Sequence, residues 1–364
     1  MKGRLCWICH RDPENPRAGG AEKSILEISR GLTELGWEVQ LIAAGFAGAK
    51  VREQIGPINV IRGSGAIMMH AELPRLMASC RPYDIVIEDL GHVVPFLAER
   101  FTHGPGIVFF RHLHRRTLRG QVGGPAATLL QLLERAYPLI YSRWPVVAPS
   151  PSALGDLEAI GFQPSRLHQI PYGVDSELFH PGGLTDFPSL IYFSGLRKYK
   201  RPDHALRVLA ALRDVGLDAR LTIVGRGPEL ANLQTLSREL QIAKYVTFTG
   251  WLAESDLAAL VGQSWLHIQC STAEGWGLTA WEAAAAGVPT VAYRVAGLID
   301  SVQPGVSGSL VPDGNLAALT SAALEILGSR QVWTTRSRQC VIGRTWKDAA
   351  TRWDDLLGRV AQTG

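Results

Sequence analysis

Short apolar runs rich in valine and isoleucine alternate along the chain with longer segments of helical spacing. In the first half, apolar runs at residues 5–8, 39–43, 85–87 and 106–110 accompany a helical pattern at residues 20–36. Strands that alternate with helices need crossover connections, and such connections cover both faces of a parallel sheet. The first half therefore predicts a doubly wound α/β domain.

A stretch rich in proline and glycine, residues 181–188, interrupts this alternation, which then starts again. The second half predicts strands at 190–193, 221–224, 246–249, 266–269 and 290–293, and helices at 202–215, 228–240, 254–262 and 278–286. We therefore expect two doubly wound Rossmann-like domains, residues 1–180 and residues 189–345, which face each other across a cleft and are joined by a hinge at 181–188. Residues 346–364 are expected to form a C-terminal helix that packs back on the N-terminal domain. Such sheets bind ligands beyond the carboxyl ends of their strands.

The composition is that of a folded protein, because 46% of the residues are hydrophobic and only 19% are charged. The longest uncharged apolar stretch, residues 283–293, is broken by Gly287 and Pro289 and is too short to span a bilayer. The apolar run near the amino terminus is too brief for a secretory signal. Five scattered cysteines argue against a disulfide framework, and Cys6 and Cys9 lie in a strand-like run that disfavours a redox or metal role. We expect a cytoplasmic protein, with peripheral contact to the inner face of the membrane as an open alternative.

The formal net charge is only +4 and no nucleic-acid recognition motif is present, so nucleic acid is not an expected partner. The local charge is more informative. Residues 111–143 contain six arginines and a single acid, Glu134, interleaved with leucines. Such a stretch suits an anionic lipid surface or a phosphorylated ligand, and it is equally typical of a solvated basic face. These three alternatives stay open, as does the oligomeric state.

The segment with the most specific chemistry follows the predicted strand at 266–269 and contains Glu274, Gly275, Trp276, Gly277, Leu278 and Glu282. Its glycines allow the backbone to approach a ligand, and the free N–H groups around Leu278 present the positive end of a helix dipole to an anion. Glu274 in the loop and Glu282 one turn into the helix are acceptors suited to sugar hydroxyls. The alternative is a solvent-exposed loop acid and a first-turn acid that complements the dipole, and spacing alone does not choose between them.

Two glutamates separated by seven residues, before an alanine-rich helix that ends in Gly-x-Pro, resemble the hallmark of the retaining nucleotide-sugar glycosyltransferases of family 4. This family, also called glycosyl transferases group 1, has the GT-B fold of two Rossmann-like domains. Further motifs occur in the family's order over nearly the whole chain, at residues 19–22, 171–175, 200, 224–229 and 248–251 and in a predicted loop at 308–313. Several independent motifs in one order are more specific than any one of them.

The resemblance implies transfer of a hexose-type sugar from a UDP- or GDP-linked donor to an acceptor hydroxyl, with retention at the anomeric carbon. The acceptor would be a cell-envelope glycan or lipid, or a small-molecule natural product. No Asp-x-Asp pair is present to hold a metal on the diphosphate, so we expect a metal-independent reaction with no cofactor beyond the donor. The alternatives are a sugar-nucleotide epimerase or phosphorylase on the same fold, or a non-catalytic sugar-binding protein.

The resemblance also assigns roles to residues of the second domain. It gives the ribose hydroxyls to Glu282 and the donor sugar to Glu274, while the amides of residues 275–278 hold the sugar and the diphosphate. Lys200 matches the lysine that binds the diphosphate. The arginine that normally partners this lysine is missing, because residues 194–196 read Ser-Gly-Leu where the family has Gly-Arg-Leu. Candidates for the second positive charge are Arg197, Arg201 and Arg226.

Two loops are implied to lie near the nucleobase, one with Gly225 and Arg226 and one with Trp251. Gly225 and Gly227 are equally typical of an ordinary turn. The loop lacks the third glycine of a dinucleotide fingerprint, which disfavours a nicotinamide enzyme.

In the first domain, Gly19 and Gly20 would let the chain approach the diphosphate. His112 and His114 follow the predicted strand at 106–110, and one of them is expected to act as a catalytic imidazole beside the donor sugar and the acceptor. Both stay candidates. Tyr172 stands where many members of the family have asparagine.

Overall fold

The computed structural model describes residues 1–114 and 123–363, and the chain divides into two compact units. Unit 1 consists of Met1–Gly173 and Trp346–Gly364, and unit 2 consists of Val174–Thr345. The chain thus leaves the first unit, builds the second, and returns to the first for its last helix.

Each unit is built from strands that alternate with helices. The elements of the first part of unit 1 are β1 (Gly3–Ile8), α1 (Gly20–Glu34), β2 (Trp37–Ala44), β3 (Arg52–Ile55), β4 (Ile58–Gly63), α2 (Met68–Ser79), β5 (Ile85–Leu90), β6 (Gly106–Phe110), α3 (Gly124–Ile140), β7 (Val146–Ala148), α4 (Pro151–Ala159) and β8 (Leu167–Gln169). Those of unit 2 are β9 (Ser189–Phe193), α5 (Pro202–Asp214), β10 (Arg220–Val224), α6 (Leu230–Glu239), β11 (Val246–Gly250), α7 (Glu254–Gln263), β12 (Leu266–Gln269), α8 (Leu278–Ala285), β13 (Thr290–Tyr293), α9 (Leu298–Ser301), β14 (Gly308–Val311), α10 (Leu316–Gly328) and α11 (Arg330–Gln339). The last helix, α12 (Trp346–Thr363), belongs to unit 1.

The strands of unit 1 form one sheet in the order β3-β4-β2-β1-β5-β6-β7-β8. All neighbouring strands pair in parallel except β3 and β4, which pair antiparallel at the edge. In the centre, Leu5 of β1 lies opposite Val39 on one side and Ile85 on the other. Every residue of β5 and of β6 is buried, as expected for strands covered on both faces.

The strands of unit 2 form a parallel sheet in the order β11-β10-β9-β12-β13-β14. The prediction of a loop at 308–313 is wrong for its first four residues. They form strand β14, which pairs with β13. Gly308 makes this pairing possible, since a Cβ at this position would lie 1.9 Å from the Thr290 carbonyl oxygen. An isolated glycine in a strand often marks such a close approach of backbones.

Unit 1 gives way to unit 2 after Gly173, earlier than the predicted domain end at residue 180. The backbone N–H of Val174 donates to the Arg344 carbonyl (2.9 Å), and that of Gly182 donates to the Gly262 carbonyl (3.0 Å). The predicted hinge at 181–188 therefore lies inside unit 2, against the end of α7. The proline and glycine residues of this stretch thus belong to an irregular segment that packs within unit 2.

Helix α12 completes the core of unit 1. Trp353 is fully buried, with ring centroids 5.6 Å from that of Trp7 and 5.1 Å from that of Phe109. The helix packs closely against α1, where a Cβ built on Gly31 would lie 2.4 Å from the Cβ of Ala350. The short distance between α1 and α12 therefore requires glycine at position 31.

We expect Gly31→Ala to destabilise the protein, although alanine is favoured over glycine in a helix interior by about 1 kcal/mol. The added methyl group must push α12 away from α1, and such overpacking costs about 1 to 3 kcal/mol. Urea unfolding at equilibrium measures the change. The matched control is Gly358→Ala in α12, where no described atom lies within 4 Å of the new Cβ, and this variant should be as stable as the parent or more so. Equal stability of the two variants would contradict the close packing.

Candidate functional site

In unit 2 the strand order reverses between β9 and β12, so the loops that follow these neighbouring strands leave in opposite directions. Open α/β sheets bind ligands at such a reversal. The two loops touch here, because the Thr272 N–H donates to the Tyr199 carbonyl (2.9 Å) and the Lys200 ammonium pairs with the Glu274 carboxylate. The residues predicted from the two loops thus meet at the expected position.

The Lys200–Glu274 ion pair is largely shielded from water, since the two side chains are only 14% and 13% exposed. Glu274 also accepts a hydrogen bond from the Gln269 amide (2.8 Å), which in turn accepts from the Thr279 hydroxyl (3.2 Å). Burial lowers the pKa of Lys200, but the attraction of Glu274 outweighs it, so the pKa lies above its ordinary value. The lysine therefore carries a fixed positive charge at neutral pH.

The N-terminus of α8 lies beside this ion pair. Gly277 has φ of 99°, and a Cβ there would lie 2.6 Å from the Ser301 hydroxyl oxygen and 2.9 Å from a methyl group of Leu298. The Glu274 N–H donates to the Ala296 carbonyl (3.0 Å), so the 274–277 loop is held at one end by backbone and at the other by side chains of α9. The first N–H groups of a helix have no partner within the helix and are available to an anion.

Two predicted side chains of this segment are buried. Glu282 is 7% exposed and lies in the second turn of α8. Trp276 is 5% exposed, and its ring packs edge-on against Trp281 with centroids 4.9 Å apart. The indole of Trp276 is thus part of the packing, and only its backbone can contact a ligand. Gly275 is half-buried in the loop.

The three arginines considered as partners of Lys200 differ in their surroundings. Arg201 pairs with Asp313 (2.5 Å) and lies over the ring of Tyr293, so it is engaged at the β13–β14 side of the sheet. Arg197 and Arg226 are exposed. The latter lies over the ring of Trp251, 5.8 Å from its centroid.

Trp251 itself is 65% exposed, as a stacking surface must be. Its loop adjoins the Gly225 loop, because the Gly225 N–H donates to the Gly250 carbonyl (2.8 Å). A Cβ at Gly225 would lie 2.0 Å from the Ser194 carbonyl oxygen, and one at Gly227 would lie 2.2 Å from that of Leu196. These glycines are therefore needed for packing between loops, whether or not a ligand binds beside them.

In unit 1 the strand order reverses between β1 and β5. A small open recess lies there, and its lining includes Arg11, Glu22, Asp89 and Arg111 together with His10 and His92. No sequence motif marks Asp89 or His92. These residues are identified only when the strand order of the sheet is known.

Two imidazoles in contact with each other line the recess. The rings of His10 and His92 meet edge to face with centroids 4.0 Å apart, and among the described residues neither buried Nδ1 has a hydrogen-bond partner. Burial, together with neighbouring positive groups, lowers the pKa of His10 to about 3 and that of His92 to about 2. Both imidazoles are thus uncharged at neutral pH.

The charged groups of the recess compensate one another. Arg11 pairs with Glu22 (2.7 Å), and Arg111 makes two hydrogen bonds with Asp89 (2.8 and 2.5 Å). Glu22 also accepts from the Gly19 N–H (2.7 Å), which fixes the start of α1. The exposed Gly19 and Gly20 therefore begin a helix that is anchored in the recess. The ionic groups of the lining, two arginines and two acids, therefore carry no net charge.

Tyr172 has a structural explanation. Its hydroxyl accepts from Arg111 (2.6 Å), and its ring lies 6.0 Å from that of Trp346 at the start of α12. A shorter asparagine side chain would not span the same distance.

His112 and His114 follow β6, with ring centroids 4.5 Å apart, and both are half-buried. The backbone N–H of His114 donates to the Glu134 carboxylate on α3 (2.6 Å), and the ring Nδ1 of His114 lies 3.6 Å from the same oxygen. The predicted basic stretch continues into Arg115, Arg116 and Arg119, which lie outside the described residues. Within residues 1–114 and 123–363 there is no group of three or more His, Cys, Asp or Glu side chains suited to a metal ion.

Two sheets of the Rossmann type, each with its polar groups at a strand-order reversal, define an enzyme-like α/β protein of the GT-B class. Sucrose-phosphate synthase from Thermosynechococcus elongatus has this fold, with a TM-score of 0.85 at 20% identity over 99% of this chain and 100% of that chain. The Anabaena protein HepE, solved with UDP and glucose, has a TM-score of 0.77 at 16% identity over 98% and 100% of the two chains. These likenesses confirm the predicted GT-B fold.

The chain belongs to the family 4, or group 1, glycosyltransferases. The family model "Glycosyltransferase Family 4" matches residues 18–178, and "Glycosyl transferases group 1" matches residues 176–340. The D-inositol 3-phosphate glycosyltransferase 2 of Catenulispora acidiphila is 30% identical over 359 residues, which cover 82% of this chain and 79% of the relative. The predicted family is thus confirmed.

A second relative matches over a shorter length. The GDP-mannose-dependent alpha-(1-6)-phosphatidylinositol monomannoside mannosyltransferase of Mycolicibacterium smegmatis is 31% identical over 223 residues. The match covers 56% of this chain and only 58% of the relative's length.

We expect His92→Gln to reduce the acid sensitivity of the fold. A histidine whose pKa is lower in the folded state binds its proton mainly after unfolding, so stability is lost as the pH falls below about 6.5. The loss reaches about 1.4 kcal/mol per pH unit for one histidine, and the variant should lose about 2 kcal/mol less than the parent between about pH 7 and pH 5. Urea unfolding at the two pH values measures this difference.

Glu88 has the opposite effect on how stability changes with pH. The contribution of His92 is therefore read from the difference between parent and variant, not from the parent alone. Burial raises the pKa of Glu88 to about 7, so this carboxyl adds stability as the pH falls from 7 toward its unfolded value. Its contribution is common to parent and variant. The control is His180→Gln, an exposed histidine of unit 2, which should leave the pH dependence unchanged. If the His92 variant lost as much stability as the parent between the two pH values, the imidazole of His92 would not be held neutral in the folded protein.

Proposed function

We propose that this protein is a retaining hexosyltransferase, which moves a sugar from a UDP- or GDP-linked donor to an acceptor hydroxyl without a metal ion. The observation that carries the proposal is the Lys200–Glu274 pair at the strand-order reversal of unit 2, beside the N-terminus of α8. A largely shielded cation, a carboxylate and the first N–H groups of a helix in one place suit a diphosphate joined to a sugar.

The diphosphate of the donor would replace Glu274 as the main partner of Lys200. The carboxylate of Glu274 would then be available to the hydroxyls of the transferred sugar, while Glu282 would bind the ribose. When the bond from the anomeric carbon to the diphosphate breaks, its electron pair leaves with the diphosphate. Lys200 and the N–H groups at the start of α8 stabilise that developing charge, and one such donor is typically worth 10²- to 10³-fold in rate.

The nucleobase would lie beside Trp251 and Arg226, which offer an exposed ring and a cation at the same edge of the sheet. Both nucleotides have support among the similar proteins. One sequence relative is named as GDP-mannose-dependent, and one structural neighbour was solved with UDP.

The acceptor hydroxyl would bind in the recess of unit 1. Neutral imidazoles and compensated ion pairs suit the hydroxyl groups of a polyol, because they offer hydrogen bonds without requiring a charge on those groups. Two relatives carry inositol in their names, which supports a cyclitol as the group that accepts the sugar. His112 or His114 would orient the reacting hydroxyl. Its oxygen bonds to the anomeric carbon on the face that the diphosphate leaves, and its proton passes to a diphosphate oxygen.

We expect Lys200→Ala and Glu282→Ala each to weaken the binding of UDP or GDP by about tenfold or more, which corresponds to about 1.4 kcal/mol. The first variant removes the cation beside the diphosphate, and the second removes the ribose acceptor. Isothermal titration calorimetry with both nucleotides measures the affinity and also shows which base is preferred. Lys198→Ala is the matched control, because this exposed lysine lies two residues from Lys200 in the same turn. Unchanged affinity in both test variants would refute the donor site.

Retention is tested on the product. Incubation with GDP-mannose or UDP-glucose and a cyclitol acceptor should give a glycoside with the α configuration of the donor, and addition of EDTA should not reduce the rate. Proton NMR of the anomeric position reads the configuration. A β-linked glycoside would overturn retention, and release of free sugar, an epimer or a sugar phosphate would favour an epimerase or phosphorylase.

A further inference from the structure

Gln269 is the last residue of β12, and its side chain is almost completely buried, with 1% of the residue exposed. The amide nitrogen donates to the Glu274 carboxylate (2.8 Å) and to the Ser271 hydroxyl (3.2 Å), and the amide oxygen accepts from the Thr279 hydroxyl (3.2 Å). Both N–H groups and the oxygen thus have partners, as a buried amide requires. The amide is therefore held in one position.

The orientation of this amide is determined by its partners. A carboxylate can only accept hydrogen bonds, so the amide nitrogen must face Glu274. The amide oxygen then faces Thr279 in the first turn of α8. Gln269 thus connects three parts of the site in unit 2, which are the end of β12, the acid of the loop and the N-terminus of α8.

Lys200 and Gln269 bind the same oxygen of Glu274. The Lys200 ammonium and the Gln269 amide both donate to Oε1, whereas Oε2 accepts no hydrogen bond from the residues that the structure describes. A bound diphosphate would attract the charged ammonium much more strongly than the neutral amide. Gln269 is therefore the donor that keeps Oε1 in place after Lys200 has turned to the diphosphate.

We propose that Gln269 is a positioning residue, which holds the Glu274 carboxylate by Oε1 and leaves Oε2 to a hydroxyl of the donor sugar. This inference rests on the proposed function, because it takes from there the roles of Glu274 and Lys200. Gln269 itself contacts neither the nucleotide nor the sugar. Its loss should therefore weaken the binding of the sugar and leave the binding of the nucleotide unchanged.

The test compares a nucleotide with its sugar-linked form, GDP with GDP-mannose and UDP with UDP-glucose, by isothermal titration calorimetry. The variant is Gln269→Met, since methionine keeps the length of the side chain and removes its hydrogen bonds. For the nucleotide that the parent prefers, we expect the affinity for the sugar-linked form to fall about tenfold, as for the loss of one hydrogen bond, while the affinity for the nucleotide alone changes less than about twofold.

A second variant and a control accompany this measurement. Thr279→Val removes only the hydroxyl that orients the Gln269 amide, and it should weaken the sugar-linked form in the same way but less, by about threefold. The matched control is Gln234→Met, the same substitution at an exposed position of α6, which should change neither affinity.

A double-mutant cycle shows whether Gln269 acts through Glu274. In a chain that already carries Glu274→Ala, the further change Gln269→Met should alter the affinity for the sugar-linked form by less than about twofold, because no carboxylate is left to hold. A merely structural role of Gln269 would make the effects of the two changes additive.

Three results would overturn the inference. They are an unchanged affinity of Gln269→Met for the sugar-linked form, equal weakening of the nucleotide and its sugar-linked form in both the Gln269 and the Thr279 variants, and additive effects in the cycle. If the parent binds the nucleotide and Lys200→Ala weakens that binding, these results concern Gln269 alone and the donor site stands. A parent that binds neither nucleotide would refute the donor site and this inference with it.

Discussion

The reversal of strand order is the constraint on which both candidate sites depend. Neighbouring strands whose following loops leave in opposite directions keep a gap at the edge of the sheet. Unit 1 has this gap between β1 and β5, and unit 2 has it between β9 and β12. The chain fills the two gaps differently, with neutral imidazoles in the first and with a largely shielded ion pair in the second. The same architecture thus underlies both the site that we propose for the acceptor hydroxyl and the site that we propose for the diphosphate.

The groups at these gaps are held by a second layer of buried polar contacts. In unit 1 the Glu88 carboxylate accepts from the N–H groups of Phe96 and Ala98 (both 2.7 Å) and from the Tyr141 hydroxyl. These bonds fix the segment after β5, which contains His92. Asp12 makes two hydrogen bonds with Arg62 on β4 (2.7 and 3.0 Å), which fixes the segment after β1. Buried carboxylates that are fully paired in this way give a loop one conformation. The recess therefore owes its shape to residues that do not line it.

Much of the fold is predictable from the sequence, because buried parallel strands appear as uninterrupted apolar runs. The predicted strands at 106–110, 266–269 and 290–293 coincide with β6, β12 and β13. The glutamate pair is also readable, since Glu274 and Glu282 lie in one continuous segment. What the sequence does not show depends on contacts between distant segments. The antiparallel pairing of β3, the boundary after Gly173 and the meeting of His10 with His92 are all of this kind.

The return of α12 to unit 1 also constrains the order of events during synthesis. Trp353 is needed to complete the packing around Trp7 and Phe109, yet it is made after the whole of unit 2. On the ribosome, unit 2 can fold as a continuous segment while the earlier part of unit 1 still lacks one wall of its core. That part must wait, with an uncovered apolar surface beside α1, until the last helix has left the exit tunnel.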